Sequence, residues 1–305
     1  MDNTDDPLWY KDAVIYQLHV RGYCDSNGDG IGDFPGLTSK LDYLKDLGID
    51  AIWLSPHYPS PMCDCGYDVS DYIGVAPEYG TLDEFKQFLD EAHQRSIRVI
   101  LDLVLNHTSD QHAWFQESRS SRDNPKRDWY VWRDPKPDGS PPNNWDSTFG
   151  GSAWEFDPST EQYYYHFFFK EQPDLNWRNP QVKQAMWDAI RFWLDMGVDG
   201  FRADAVPYLF EEEGTNCENL PKTHVFLKRL RRHIDEHYPG RVLLCEANQW
   251  PEDVRSYFGD GDEFQMGFHF PVMPRIFMAL ATADRTPVVE ILQATPEIPD
   301  SCQWC

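Results

Sequence analysis

The first hundred residues alternate between two hydrophobic periods, and this restricts the possible folds more than any other property of the chain. Residues 13–20 read as a buried strand, after which Leu37, Leu41, Leu44 and Leu47 recur at helical spacing up to Gly48. Residues 51–54 form a second strand, closed by Ser55-Pro56. Residues 82–95 then place Phe85, Phe88, Leu89 and Ala92 on one helical face. Residues 99–105 are a near-continuous apolar run, as expected of a strand buried on both sides. Strand, helix, strand, helix, strand at this spacing predicts βαβ units and a parallel sheet.

The rhythm breaks between residues 108 and 178, which are rich in Pro, Asn, Asp, Ser and Trp. Only residues 163–169 (Tyr-Tyr-Tyr-His-Phe-Phe-Phe) give a strong strand signal there. So long an interruption reads as an inserted subdomain or a functional loop. The alternation resumes with a helix over 181–196, a strand over 200–206, a helix over 223–237 and a strand over 242–247. A short helix from Pro251 and a strand-like stretch over 266–272 follow. The predicted organisation is a first barrel part over 1–107, an insertion over 108–178 and a second barrel part over 179–305.

Composition narrows the function. The 305 residues carry 27 Lys and Arg against 51 Asp and Glu, a net charge of −24. Such a surface repels phosphate backbones and anionic lipid, which argues against nucleic-acid and membrane-surface roles. No apolar run approaches the roughly 20 residues of a membrane span. The start, Met1-Asp2-Asn3-Thr4-Asp5-Asp6, does not resemble a secretory signal, so a cytoplasmic protein is expected. The seven cysteines suggest no disulfide framework and read as reduced thiols.

An open doubly wound sheet calls for a Gly-rich phosphate turn after its first strand. Here charged residues gather instead at the C-terminal ends of the third, fourth and fifth strands, where a (β/α)8 barrel builds its active site. The expected fold class is therefore α/β, an incomplete (β/α)8 TIM barrel of about six strands with a subdomain inserted after strand three. The strand ends read Asp102-Leu-Val-Leu-Asn106-His107, Gly200-Phe-Arg202-Ala-Asp204 and Leu243-Leu-Cys-Glu246. Buried ionised groups are costly unless paired, yet three adjacent strands each bring one to the same end. Arg202 and Asp204 are two apart and so share a face, where the guanidinium is expected to keep the carboxylate ionised for nucleophilic attack. Glu246 on the next strand can face the same cavity. Two carboxyls roughly 5 Å apart are the arrangement of a retaining glycosidase.

These three motifs resemble the first three signature regions of glycoside hydrolase family 13, the α-amylase family, and the resemblance extends over essentially the whole chain. It implies Asp204 as nucleophile and Glu246 as general acid/base. Arg202 and His107 would bind the sugar at the subsite of bond cleavage. Tyr67 and Asp68, in Gly66-Tyr-Asp-Val, match the family's stacking tyrosine and hydroxyl-binding aspartate.

Two metal sites enter the expectation. Asp25, Asn27, Asp29, Ile31 and Asp33 lie at alternate positions of a glycine-rich turn, the way hard cations such as Ca²⁺ are held, although a metal-free turn satisfies the same spacing. The family uses this loop for structural calcium or magnesium. A second set, Asn106, Asp174, Glu211 and the backbone carbonyls of Tyr208 and Leu209, follows from the resemblance alone. No organic cofactor is implied.

Within the family, residues 206–220 and 246–253 resemble trehalose synthases, which interconvert maltose and trehalose. The insertion, with Asn143-Asn-Trp145, Phe149-Gly-Gly-Ser-Ala-Trp154 and Gln172-Pro-Asp-Leu-Asn-Trp177, is closer to oligo-1,6-glucosidases. The expected substrates are maltose, trehalose or short α-glucosides, by isomerisation or by hydrolysis, with an inactive sugar-binding relic as the alternative. The family's fourth region, an Asn-His-Asp motif after strand seven, is absent from the sequence. The expectation is therefore a truncated barrel with two long apolar edge strands and little turnover on its own. A homo-oligomer or a complementing C-terminal half is the partner this implies.

Overall fold

The structure is a computed structural model that describes residues 6–305. In chain order it runs β1 (Ile15–Leu18), α1 (Phe34–Thr38), α2 (Leu41–Asp46), β2 (Ala51–Leu54), α3 (Leu82–Gln94) and β3 (Arg98–Val104). Then come α4 (Ala113–Ser120), β4 (Trp132–Arg133), β5 (Trp154–Asp157), β6 (Gln162–Tyr165), α5 (Pro180–Met196), β7 (Gly200–Asp204), α6 (Pro221–His237) and β8 (Val242–Cys245). The last elements are α7 (Pro251–Val254), β9 (Met266–Gly267), α8 (Val272–Thr282), α9 (Thr286–Ala294) and β10 (Gln303–Trp304).

Seven parallel strands in the order β1-β2-β3-β7-β8-β9-β10 form one curled sheet, an incomplete (β/α)8 barrel. Six were expected; the seventh is the two-residue pairing of Gln303 and Trp304 with Met266 and Gly267, too short to show a periodicity. The open edges are accordingly short, four residues in β1 and two in β10, rather than two long apolar strands. Short edges offer little template for stray pairing. Close approach of β7 and β8 depends on Gly200, where a Cβ would meet the carbonyl oxygen of Val242 at 2.3 Å.

The helices form where capping and burial coincide. At α3, Thr81 and Glu84 make a reciprocal capping box, and Phe85, Phe88, Leu89 and Ala92 are buried as their spacing predicts. α5 starts at the Asn179 cap and Pro180, buries Val182, Met186, Ala189, Ile190, Trp193 and Leu194, and ends at Gly197 with φ +112°. The single helix expected over 37–47 is two short ones. Thr38 and Ser39 hydroxyls take the carbonyls of Phe34 and Gly36, competing with continuation of the helical ladder.

The insertion carries its own antiparallel sheet, ordered β4-β6-β5, over a small core of Val131, Ala153, Trp154 and Tyr165. Its strand ends at Tyr165 rather than Phe169, because Asp174 comes back to the chain there: its side chain accepts from the Phe167 amide and its own amide donates to the Tyr165 carbonyl. The C-terminal segment departs most from expectation. Only Met266 and Gly267 of the stretch 266–272 are strand, and a helical hairpin, α8 with α9, follows. All seven cysteines are free thiols. Among the described residues, no helix is long and apolar enough to cross a membrane.

Candidate active site

The sheet register assembles the site. β3 pairs with β7 so that Asp102 lies opposite Arg202 and Val104 opposite Asp204, and β8 runs alongside with Cys245 opposite Ala203. Glu246 is the next residue along. Arg202 Nη1 donates to Asp204 Oδ1 at 2.5 Å and to Asp102 Oδ1 at 2.7 Å, while Nη2 is 3.5 Å from Glu246 Oε2. One guanidinium thus serves three carboxylates. Asp204 also precedes a strained joint: Ala205 has φ +50°, a left-handed conformation that non-glycine residues adopt at a cost. That turn aims the Ala205 amide at Glu246 Oε2, 2.8 Å away.

Aromatic residues close the network from the other side. Trp53 Nε1 donates to Asp102 Oδ2 at 3.1 Å, and the Tyr67 hydroxyl reaches the same oxygen at 3.2 Å. The Arg202 guanidinium lies 5.2 Å from the Trp53 ring and 5.6 Å from that of Tyr67. Asp102 is fully buried, Arg202 and Asp204 nearly so, and Glu246 keeps 22% of its side chain exposed. Glu246 is therefore the carboxyl with most access to an incoming molecule.

Burial raises the Asp204 carboxyl to about 8, with the charges of Glu246 and Asp102 adding to the rise and Arg202 opposing it. Burial raises Asp102 as well, against the same guanidinium. The ion pair expected between Arg202 and Asp204 is present, and the guanidinium opposes the rise that burial imposes on the carboxyl. One cation is shared among three buried or half-buried carboxyls, so desolvation and mutual repulsion work against the ion pair.

The remaining residues singled out in the sequence sit around this core. His107 approaches the Tyr67 carbonyl at 3.2 Å and the Gln172 side-chain nitrogen at 2.9 Å. Burial lowers it to about 4, so the ring is neutral at ordinary pH, and its Nδ1 is buried without a partner, a spare polar group at the site. Asp68 is fully buried and accepts from the Ser60 hydroxyl and the amides of Cys63 and Asp64, so in this geometry its oxygens secure the loop before Tyr67. Sequence reasoning named Asp102 without giving it a role, and passed over Trp53 and Gln172. Asp102 stood in the quoted strand-three motif, but its partnership with Arg202 depends on cross-strand register.

The candidate metal ligands differ in character. In the 25–33 turn, Asp25 accepts from the amides of Asn27, Gly28 and Gly30, Asn27 from that of Asp29, and Asp29 from that of Ile31. Asp33 accepts from Ser26 and Gly36. These bonds shape the turn from within, and main-chain donors hold the Asp25 carboxyl below its ordinary value. In the second set, Asp174 Oδ2 accepts from Asn106 Nδ2 at 3.0 Å, whereas Asn106 Oδ1 is buried with no partner. Burial raises the Asp174 carboxyl well above its usual range. An orphaned amide oxygen beside a buried carboxyl suits a hard cation. Glu211 is instead ion-paired with Arg178. Among the described residues, no cluster of three or more His, Cys, Asp and Glu side chains forms a metal site by itself.

The model of the α-amylase catalytic domain matches residues 17–295. The chain belongs to the α-amylase family. It is 59% identical over 303 residues to the trehalose synthase/amylase TreS of Mycolicibacterium smegmatis, covering 98% of this chain and 51% of that protein. It is 48% identical over 281 residues to an oligo-1,6-glucosidase of Heyndrickxia coagulans, covering 87% of this chain and 51% of the relative. Among solved structures, the α-glucosyl transfer enzyme XgtA superimposes with a TM-score of 0.85 at 43% identity, over 95% of this chain and 59% of that one. The chain spans about half the length of the curated relatives it matches. Within this α-amylase family fold, the ion-paired cluster lies at the C-terminal ends of β3, β7 and β8.

Proposed function

We propose that this half-barrel provides the carboxyl pair of a retaining α-glucoside reaction, and that the reaction is interconversion of maltose and trehalose. The observation that carries the reading is the pair Asp204 and Glu246 flanking one guanidinium on adjacent strands. In its ionised form Asp204 attacks the anomeric carbon while Glu246 protonates the departing glycosidic oxygen. Glu246 then takes a proton from the hydroxyl that attacks the glucosyl–Asp204 ester, regenerating the free carboxylate. In this reading Arg202 and Asp102 hold the nucleophile in place, and Tyr67 and His107 would meet the sugar.

The two relatives separate at the second half of this cycle. Hydrolysis admits water, whereas isomerisation holds the released glucose until another of its hydroxyls attacks. Trehalose synthase identity exceeds that to the oligo-1,6-glucosidase and covers more of this chain, which favours isomerisation. A hard cation such as Ca²⁺ belongs to the same reading. Asn106 and Asp174, with Tyr208 and Leu209 carbonyls and Glu211, would hold one, and the 25–33 turn another. Each would brace loops beside the barrel without entering the chemistry.

The test incubates the chain with maltose and separates the products, alongside mass spectrometry of the chain after exposure to an activated α-glucosyl fluoride. Trehalose production supports isomerisation, and glucose alone reassigns the site to hydrolysis. Absence of both products together with absence of glucosylation at Asp204 would overturn the reading.

A further inference from the structure

The insertion contains a second charged cavity on different residues from the carboxylate cluster. It has a volume of about 490 Å³ and draws arginines from four separate segments: Arg122, Arg127, Arg133 and Arg178. Asp128 and Glu211 are the carboxylates in its wall. In a chain of net charge −24, this concentration of guanidinium runs against the average surface.

The arginines are compensated unequally. Arg178 is ion-paired with Glu211, and Arg122 with Asp134 at 3.0 Å. Arg133 is half exposed, donates to the Trp132 carbonyl and stands 4.0 Å from the Glu211 carboxylate that Arg178 already engages. Among the described residues Arg127 donates to no carboxylate, and Asp157 acts on it only at longer range. Its Nη1 donates to the Ser118 carbonyl at 3.0 Å, and its Nη2 to Thr160 Oγ1 at 3.0 Å and Gln162 Oε1 at 2.5 Å. Its Nε is buried with no partner at all.

Packing fixes that charge in place. The guanidinium carbon of Arg127 lies 3.4 Å from the centre of the Trp132 ring. Burial lowers Arg127 to about 10, which still leaves it protonated at neutral pH. Asp128 offers little relief, because its carboxylate accepts from Asn176 and Asn179. A half-buried cation hydrogen-bonded only to neutral oxygens, with Asp157 and Asp134 acting on it from a distance, is a costly arrangement that an anion in the cavity would relieve. The forked donors of the half-exposed Arg133, with the fixed charge of Arg127 beside them, favour a planar or tetrahedral oxyanion over a halide.

We infer that this cavity binds a phosphate-type oxyanion, free or esterified to a small sugar, through Arg127, Arg133 and Arg122. The site is separate from the glucoside chemistry, so its test reads binding and not turnover. Calorimetric titration of the full chain with inorganic phosphate, and separately with glucose 1-phosphate, is expected to give saturable binding by at least one. Tighter glucose 1-phosphate identifies a phosphorylated sugar, and equal affinity identifies the free oxyanion.

Arg127→Gln is expected to remove the binding, but it also cuts the contacts to Ser118 and Thr160. Arg133→Gln provides the check that leaves the fold alone, since that side chain is half exposed. It should weaken binding about tenfold with an unchanged melting temperature. Absence of saturable binding by both probes would overturn the inference, as would unaltered affinity in the Arg133→Gln chain.

Discussion

Arg202 and Arg127 are both packed against tryptophan rings inside the molecule, yet one is surrounded by carboxylates and the other by neutral oxygens. Arg202 touches Asp102 and Asp204 and borders Glu246, while Arg127 meets a main-chain carbonyl, a hydroxyl and an amide. Charge at the strand ends is short of cations; charge in the arginine cavity is short of anions. Neither imbalance aids folding, since a buried charge without a sufficient partner destabilises the chain. Structures keep such imbalances where a ligand or a reaction uses them. Burial alone does not mark a functional arginine; the sign of what is missing around it does.

Deleting the better-paired cation has the largest expected effect. Arg202→Leu leaves Asp102 and Asp204 buried with no positive partner, and a loss of about 3–5 kcal/mol in urea unfolding is expected. A loss below about 1 kcal/mol would show that the carboxyls simply take up protons and that the guanidinium contributes little.

A pH series sharpens the same point. Asp204 is raised in the folded chain from an ordinary 3.8 to about 8. Between those values the folded state binds a proton that the unfolded state has released, so stability falls as pH rises from about 4 to about 8. Asp204→Asn removes the titration. Its melting temperature should exceed that of the parent at pH 8, with the gap closing toward pH 4. A gap that stays constant across the range would mean that the carboxyl is not shifted. Trp53→Phe follows with a smaller effect. It removes the donor to the buried Asp102 Oδ2 and should cost about 1–2 kcal/mol at neutral pH.

Much of this architecture was legible in the sequence, for physical reasons that also explain the failures. Strands and helices such as β3 and α5 bury a defined face, so period and burial coincide. Arg202 and Asp204 were legible because two residues on one strand share a side. The α8–α9 hairpin was not. α8 buries none of its residues, and Met273, Phe277 and Leu280 are exposed, so its apolar residues follow no face that a periodicity could reveal. The bond between Asp102 and Arg202 spans 100 positions and appears only once β3 lies beside β7. The arginine cavity is similarly hidden, because its four guanidinium groups come from loops, a short strand and a helix entry. The full charge balance of the active cluster is hidden for a related reason. The sequence supplied the Arg202–Asp204 pair, but the other carboxyls that share the cation come from neighbouring strands.

The mildest perturbation probes the insertion from its rim. Asp134 pairs with Arg122 at 3.0 Å and accepts from Gln162 at 2.9 Å, with 69% of its side chain exposed. An exposed pair of this kind is worth little, so Asp134→Asn should leave stability within about 0.5 kcal/mol in urea unfolding. Its charge nevertheless acts on Arg127 across the cavity, where it favours the protonated guanidinium. Removing it takes away a repulsion felt by any entering anion and frees Arg122 to turn inward. Phosphate affinity should therefore rise by about two- to threefold at low salt, and the gain should shrink as ionic strength increases. The same substitution in an active cluster short of cations would have relieved repulsion among carboxyls; here it deepens an existing excess of positive charge. An affinity that falls, or one insensitive to salt, would show that Asp134 orders Arg122 for binding and that the cavity works by geometry more than by charge.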